Sequence, residues 1–377
     1  MRKKIVILGA GMVGRAMAID LSKDHEVVSV DRDAKALNLL SNRDHLITQV
    51  ADLADKDVVT DVIQQADVVI GAVPGFMGYQ TLKTVIEAGK DIVDISFFPE
   101  DPFGLDELAK KQGVIAVMDA GVAPGMSNII LGYHDKNMQV SDFVCFVGGL
   151  PQERTWPYEY KAPFSPIDVI EEYTRPSRFV EAGDIIEKAA LSDPELINFE
   201  GVGTLESFNT DGLRSLIKTM NVPNMKEKTL RYPGHIELMR VLRDTGFFGE
   251  KKIQIGDQSI RPLDLTTRLL FPKWKLGEEE AEFTLMNVQV KGIETGQAVE
   301  YQYNLLDRYH PETKTSSMSR TTGYTCTAIT RLVVDGHYTR QGISPPEFVG
   351  AEPGCFELIL DHLKQREIHY GVQRIEN

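Results

Sequence analysis

The chain has 377 residues, a formal net charge of −14, 42% hydrophobic and 25% charged residues, a length that exceeds one ordinary core and predicts two domains. An acidic surface repels nucleic-acid phosphates, and no apolar run approaches the roughly 18 residues that span a bilayer, so neither nucleic acid nor membrane is an expected partner. Three cysteines set far apart, Cys145, Cys326 and Cys355, and eight scattered histidines give neither a disulfide framework nor metal-ligand spacing; no metal is expected. Met1-Arg2-Lys3-Lys4 runs straight into an apolar stretch without the longer segment and cleavage site of a signal peptide, which predicts a cytoplasmic protein.

The run Lys4-Ile5-Val6-Ile7-Leu8 reads as a buried parallel strand. It breaks at Gly9-Ala10-Gly11-Met12-Val13-Gly14, after which Val13, Met17 and Leu21 recur as one face of a helix. Gly9 permits the tight turn, Gly11 lets the backbone approach a pyrophosphate, and Gly14 lets the helix pack on the strand. Free amides at the helix start, aided by the helix dipole, favour the phosphates. A second apolar strand ends at Asp31, roughly 20 residues on, where a carboxylate accepts hydrogen bonds from an adenosine ribose. A carboxylate there repels a 2′-phosphate, which points to NAD. The neighbouring Arg32 can stack on adenine or pair with that phosphate, which leaves NADP open.

The alternation of strands and helices continues. Strands are predicted at 45–50, 67–71, 92–95 and 114–118, with a helix over 58–65 and further helices between. Repeated units of this kind imply an α/β fold: an N-terminal doubly wound parallel sheet of Rossmann type. Ligands on such sheets lie beyond the carboxyl ends of the strands, which adds Asp52, Ala72, Pro74, Ser96 and Gly121 to the expected cofactor lining of Gly9, Gly11, Met12, Val13, Gly14, Asp31 and Arg32. Asp52 accepts from the adenine amino group or caps the next helix. Asp94 and Asp119 stand at strand ends facing the same crevice. Either can take or relay a proton with a shifted pKa, or cap a helix and hold a loop; Asp119 is the catalytic candidate of the two.

The pattern changes near Gly121-Val122-Ala123-Pro124-Gly125. A helix over 126–136 starts at Ser127 or Asn128, and 140–147 is β-like. Aromatic residues and prolines over 153–174 suit loops lining a cleft, and strands are plausible at 252–255 and 282–291. The predicted domains are therefore 1–124, with 318–377 returning to it through helices at 318–333 and 357–364, and 125–317, a second α+β domain for substrate binding. In that second part of the chain Arg178, Arg214 and Arg320 offer forks to an amino-acid carboxylate, or form surface and inter-domain ion pairs. Asn209 hydrogen-bonds a substrate or starts a turn. His235, after Pro233-Gly234, closes a turn or moves a proton. Tyr158, Tyr160 and Lys161 are read as packing residues.

Several motifs then make the chain recognisable. Asp119 to Asn128, Gly148-Gly149-Leu150-Pro151, Ser165-Pro166, Glu171 to Arg178, Asp211 to Ser215, Arg231-Tyr232-Pro233-Gly234-His235 and Met318 to Gly323 together resemble the saccharopine dehydrogenase-like family, and within it the lysine 6-dehydrogenases. Saccharopine reductases of the family carry an acid where this chain has Ala123 and a cysteine where it has Val147, so the resemblance favours the lysine branch. It implies a homodimer formed through the second domain, and NAD-dependent oxidative deamination of L-lysine at the ε-carbon to 2-aminoadipate 6-semialdehyde and ammonia, with Asp119 or His235 as proton acceptor. The alternatives are a saccharopine-type reductase that forms a secondary amine from an imine, and a non-catalytic dinucleotide sensor.

Overall fold

The computed structural model describes residues 2–163, 166–277 and 279–376; Ser165, in one of the family motifs, lies outside them. The chain divides into two compact units. One comprises 1–138 and 319–369, the other 139–318 and 370–377.

In the first unit the short apolar runs become strands β1 (Lys4–Leu8), β2 (Glu26–Asp31), β3 (Leu46–Val50), β4 (Val68–Gly71), β5 (Asp91–Asp94) and β6 (Ile115–Val117). Among the described residues they form a parallel sheet in the order Gly342–Ser344, β6, β5, β4, β1, β2, β3. β1 therefore pairs with both β2 and β4, and the strand order reverses there. Residues 5–8 of β1 are buried completely, as a strand covered by helices on both faces requires. The helix α1 (Met12–Leu21) follows the glycine turn and buries Met17, Ala18 and Leu21. This is the expected doubly wound α/β sheet.

The returning segment is anchored through one buried acid. Asp20, near the carboxyl end of α1 where the helix dipole disfavours an anion, accepts from Arg366 Nε at 2.7 Å, Arg331 Nη1 at 2.9 Å and Thr327 Oγ1 at 2.8 Å. Burial works against its charge, but Arg331 and Arg366 outweigh burial and hold the carboxyl below the ordinary range. The helix Met126–Asn137 also belongs here, because its backbone touches that of Pro346–Ala351: a Cβ on Gly132 would overlap Glu347 O, and one on Gly350 would overlap Ile129 O. The expected boundary at 124 thus falls at 138. Conversely 370–376, expected in the first domain, pairs as strand Tyr370–Glu376 with Gln297–Arg308 in the second unit.

The second unit is built on a mixed sheet, the expected α+β character. Its long strand β7 (Gln139–Pro151) pairs parallel with Asn224–Arg231 and antiparallel with Glu282–Glu294. Gly148 and Gly149 let neighbours approach it: added Cβ atoms would lie 2.7 Å from Leu230 O and from Met318 Cε and Pro163 Cγ. The stretch 153–174, read from sequence as cleft-lining loops, instead carries the helix Pro166–Thr174 and sends Tyr160 and Tyr173 into the core with Phe208, Leu230 and Trp274; these rings contribute more by burial than they would in a wet loop. The strand expected at 252–255 is half of a small exposed hairpin, Ile253–Ile255 with Gln258–Ile260.

Replacing Asp20 by Ala strands two guanidinium groups without their shared acceptor, and should lower unfolding free energy by about 3–5 kcal/mol. Urea denaturation checks this; a loss below about 1 kcal/mol, the range of an exposed pair, would refute the anchor.

Candidate functional site

The glycine turn has the shape a phosphate-binding loop needs. Gly9 has φ +116° and sits where a Cβ would overlap the carbonyl oxygen of Ala72; a Cβ on Gly14 would overlap Gly9 O. Both positions exclude any other residue. Gly11, by contrast, is exposed, and among the described residues nothing lies within 4 Å of where its Cβ would be. That open space faces the start of α1, whose N-cap is Gly11 with no side-chain capping bond, so its first amides remain oriented for an anion.

The second strand latches this turn. Asp31 Oδ2 accepts from Ala10 N at 2.7 Å, and its Oδ1 from Asp33 N at 2.9 Å. The carboxylate is therefore fixed at the end of β2 while half-exposed, with lone pairs left for ribose hydroxyls. Arg32, Asp52 and Pro74 are exposed, and Met12, Val13 and Ala72 half-exposed, along the carboxyl ends of β1 to β4. Asp52 Oδ1 accepts from Ala54 N at 3.1 Å, and it is Asp55 that caps the following helix Lys56–Ile63. Phe76, which sequence reading passed over, is 79% exposed just after Pro74; an aromatic residue so placed carries no periodic signal.

Farther along the sheet the site residues are enclosed. Ser96 is buried, and among the described residues its hydroxyl has no hydrogen-bond partner. Gly121 is buried in a turn in which its carbonyl accepts from Met126 N at 2.9 Å. Asp119, two residues beyond β6, has a left-handed backbone conformation, φ +51°, and is 2% exposed. Its neighbour Ala120 donates to Asp94 O at 2.9 Å, which draws the ends of β5 and β6 together.

Most of the expected substrate contacts are already committed to the protein itself. Arg178 holds Asp211 in a two-point fork, Nε to Oδ1 at 2.8 Å and Nη2 to Oδ2 at 2.9 Å. Asn209 donates to Ser192 Oγ and Asp193 Oδ2. Arg320, in the first unit, is buried and donates to Arg366 O at 3.0 Å. Arg214 is half-buried with φ +52°. The fork, the amide and the buried guanidinium thus each have partners within the protein, and local structure alone accounts for the positions of Arg178, Asn209 and Arg320.

His235 requires the firmest correction. It starts the helix His235–Asp244 but lies in the core of the second unit, 2% exposed. Nδ1 is 2.8 Å from Tyr158 O, which can only accept, so Nδ1 carries the proton. Nε2 then accepts from the Tyr173 hydroxyl at 2.9 Å, and the Tyr173 oxygen accepts from Arg231 Nε at 2.9 Å. Arg231 is itself buried, paired with Glu172 at 2.7 Å and 4.4 Å from the Tyr160 ring centre. Burial first, and Arg231 second, push the imidazole down to about 3. A neutral ring with both nitrogens engaged cannot be the general base.

Because the folded-state value lies below the unfolded one, stability from this neutral imidazole is present above about pH 6.5 and falls by up to about 1.4 kcal/mol per pH unit as pH drops toward 3. Ring-proton NMR should therefore show no His235 titration from about pH 5 to 8; a midpoint near 6.5 contradicts the network. Tyr173→Phe, which unpairs Arg231 Nε and His235 Nε2, should cost about 1–3 kcal/mol in denaturant melts.

Comparison with known proteins agrees with this geometry. Residues 5–117 match the family model described as Saccharopine dehydrogenase NADP binding domain, and 121–368 match Saccharopine dehydrogenase C-terminal domain. A curated saccharopine dehydrogenase [NADP(+), L-glutamate-forming] of Pyricularia oryzae is 24% identical over 71% of this chain and 63% of its own length. An alpha-aminoadipic semialdehyde synthase of Arabidopsis thaliana is 28% identical over 54% of this chain. The chain thus spans 63% of the fungal relative and only 21% of the plant one. The solved apo saccharopine dehydrogenase (L-Glu forming) of Saccharomyces cerevisiae superposes with a TM-score of 0.80 at 18% identity, covering 99% of this chain and 100% of that one, and so shares the fold. Among the described residues no helix is long and apolar enough to cross a membrane. With both of its family models matched in order along the chain, and a nicotinamide dinucleotide as the ligand its glycine turn is shaped for, the protein belongs to the saccharopine dehydrogenase family.

Proposed function

We propose that the chain is an NAD-linked oxidoreductase acting on the carbon–nitrogen bond of a lysine-derived amino acid, and we read the reaction as oxidative deamination of L-lysine at its ε-carbon. The products are 2-aminoadipate 6-semialdehyde and ammonia. The observation that carries the cofactor side of this reading is the latched Asp31 carboxylate, which two backbone amides hold in place. A 2′-phosphate would meet a fixed negative charge there, and like charges brought together cost several kcal/mol. Support for the lysine branch comes from Ala123 and Val147, which stand where saccharopine reductases carry an acid and a cysteine. The homodimer is part of the same reading.

The residues divide the work as follows. The amides of the glycine turn bind the pyrophosphate, and Asp31 orients the adenosine ribose. When bound, the nicotinamide supplies the hydride acceptor. Asp119 takes the proton that must leave the ε-ammonium before a neutral amine can be oxidised. The enclosed ends of β5 and β6 keep water from the reacting centre until a water molecule adds to the imine and ammonia leaves.

A second reading, oxidation of saccharopine, is favoured by the fungal relatives, which are named for that substrate and match up to 71% of this chain. Purified protein incubated with NAD and L-lysine, then with saccharopine, separates the two by absorbance of the reduced cofactor: turnover of lysine is expected, and turnover of saccharopine alone reverses the assignment. NAD should bind about tenfold or more tighter than NADP, with Asp31→Ser narrowing the gap; equal affinities would remove Asp31 from its role. Asp119→Asn should lower kcat by about 10²–10⁴-fold while NADH binding, followed by fluorescence, is kept. A variant of unchanged kcat would point to another acceptor.

A further inference from the structure

The last residue of β5 carries an acid that the chemistry above leaves unused. Asp94 is 0% exposed, and its Oδ1 accepts from Ser96 N at 2.5 Å. Among the described residues its Oδ2 and the neighbouring Ser96 hydroxyl are buried without a hydrogen-bond partner. In register with Asp94 on the adjacent strand stands Gly71, and a Cβ there would overlap Asp94 Oδ2. The carboxyl thus occupies the volume of a missing side chain. The turn it holds is wedged from the other side: a Cβ on Gly78, in the helix Gly75–Glu87, would lie 2.7 Å from Ser96 Cβ and 2.6 Å from Phe98 Cδ1. Segment 94–98 has little freedom to adjust.

An ionised carboxylate in this position has one oxygen facing no donor, whereas a neutral acid is far less costly to enclose. The ionisable groups that reach it reinforce this. Asp119, just beyond β6, is another acid, and Cys326, on the helix Ser317–Val334, is a thiol that burial and Asp94 together keep protonated. The β4 residue packed against it is Gly71, and Gly78 of the helix Gly75–Glu87 packs on the neighbouring Ser96 and Phe98.

We propose that Asp94 is a positioning residue which, as a neutral acid, holds the Ser96 turn in the wall of the dinucleotide crevice, so that its ionisation loosens that wall and weakens dinucleotide binding. This rests on the reading of the crevice as the nicotinamide dinucleotide site. Burial, with Asp119 adding to it and the Ser96 amide opposing, raises the Asp94 pKa to about 7. The folded-state value lies above the unfolded one, so the stability it contributes is full below about pH 4, is lost as pH rises to about 7, and is level beyond that. The crevice is therefore firmest below neutrality.

NADH fluorescence titrations of the full chain from about pH 6 to about pH 9 test this, run beside thermal unfolding of the ligand-free protein from about pH 4 to about pH 8. Wild type should lose affinity above about pH 7, by up to about tenfold per pH unit. Asp94→Asn keeps the acceptor for Ser96 N and cannot ionise, so its affinity should stay level and its melting temperature should fall less than wild type as pH rises. Parallel pH curves for the two proteins would overturn the proposal, as would loss of NADH binding by a folded Asp94→Asn at the acid end, since an ionised carboxylate would then be required. Should the Asn variant fail to fold, Asp94→Ser offers the same comparison. If wild type takes up no NADH at any pH, the dinucleotide reading fails; the melting curves then decide separately whether Asp94 is held neutral.

Discussion

The constraint on which the first unit depends is the contact of backbone with backbone around the end of β1. Gly9 lies against the Ala72 carbonyl and Gly14 against the Gly9 carbonyl. These contacts bring the start of α1 so close to the sheet that its first amides and the open face of Gly11 form one concave surface. A side chain at either glycine would push α1 outward by more than a phosphate contact tolerates. The Asp31–Ala10 hydrogen bond then ties this surface to the neighbouring strand, so that phosphate and ribose positions are set relative to each other by main chain rather than by flexible side chains. Preorganisation of that kind reduces the ordering that binding would otherwise require.

The second unit treats buried charge differently. Arg231 sits under aromatic rings, and its donors reach Glu172, Tyr173 and the main chain. Each neighbour is oriented by the next, ending at the Tyr158 carbonyl. Such a chain is worth little as an isolated ion pair, but an incomplete one is costly in a low dielectric. It fixes the entry of the 153–163 segment to the sheet. The same logic governs Asp20, whose surrounding arginines convert an unfavourable anion at a helix end into the fastening for residues far along the chain. In both places a polar group that looks chemical in sequence proves to be structural, because its partners are all supplied by the protein.

Asp94 is the opposite case. Among the described residues it has one hydrogen bond, a glycine in place of a side chain opposite, and a second acid nearby. Its two oxygens are therefore unequal, and the shape of the strand end depends on which protonation state is present. Carboxyl groups enclosed in this way are frequent where a fold places chemistry.

The amino-acid order by itself determined the parallel α/β part, because strand β1, the glycine turn and Asp31 are local signals: an apolar run, three glycines at fixed spacing, and an acid one strand later. It determined the family as well, through motifs spread from Asp119 to Gly323. It did not determine what His235, Arg178, Asn209 and Arg320 do, since each is a residue type that serves catalysis or packing equally well, and only the partners brought by segments remote in sequence, Tyr158 and Tyr173 for the histidine and Asp211 for one arginine, decide between them. Nor did it place the strand 370–376 or the helix 126–137, whose membership depends on a sheet edge and on glycine contacts more than 60 and 200 residues away along the chain. Burial and hydrogen-bond partnership are properties of the folded chain, and they alone separate a group that is available from one that is already engaged.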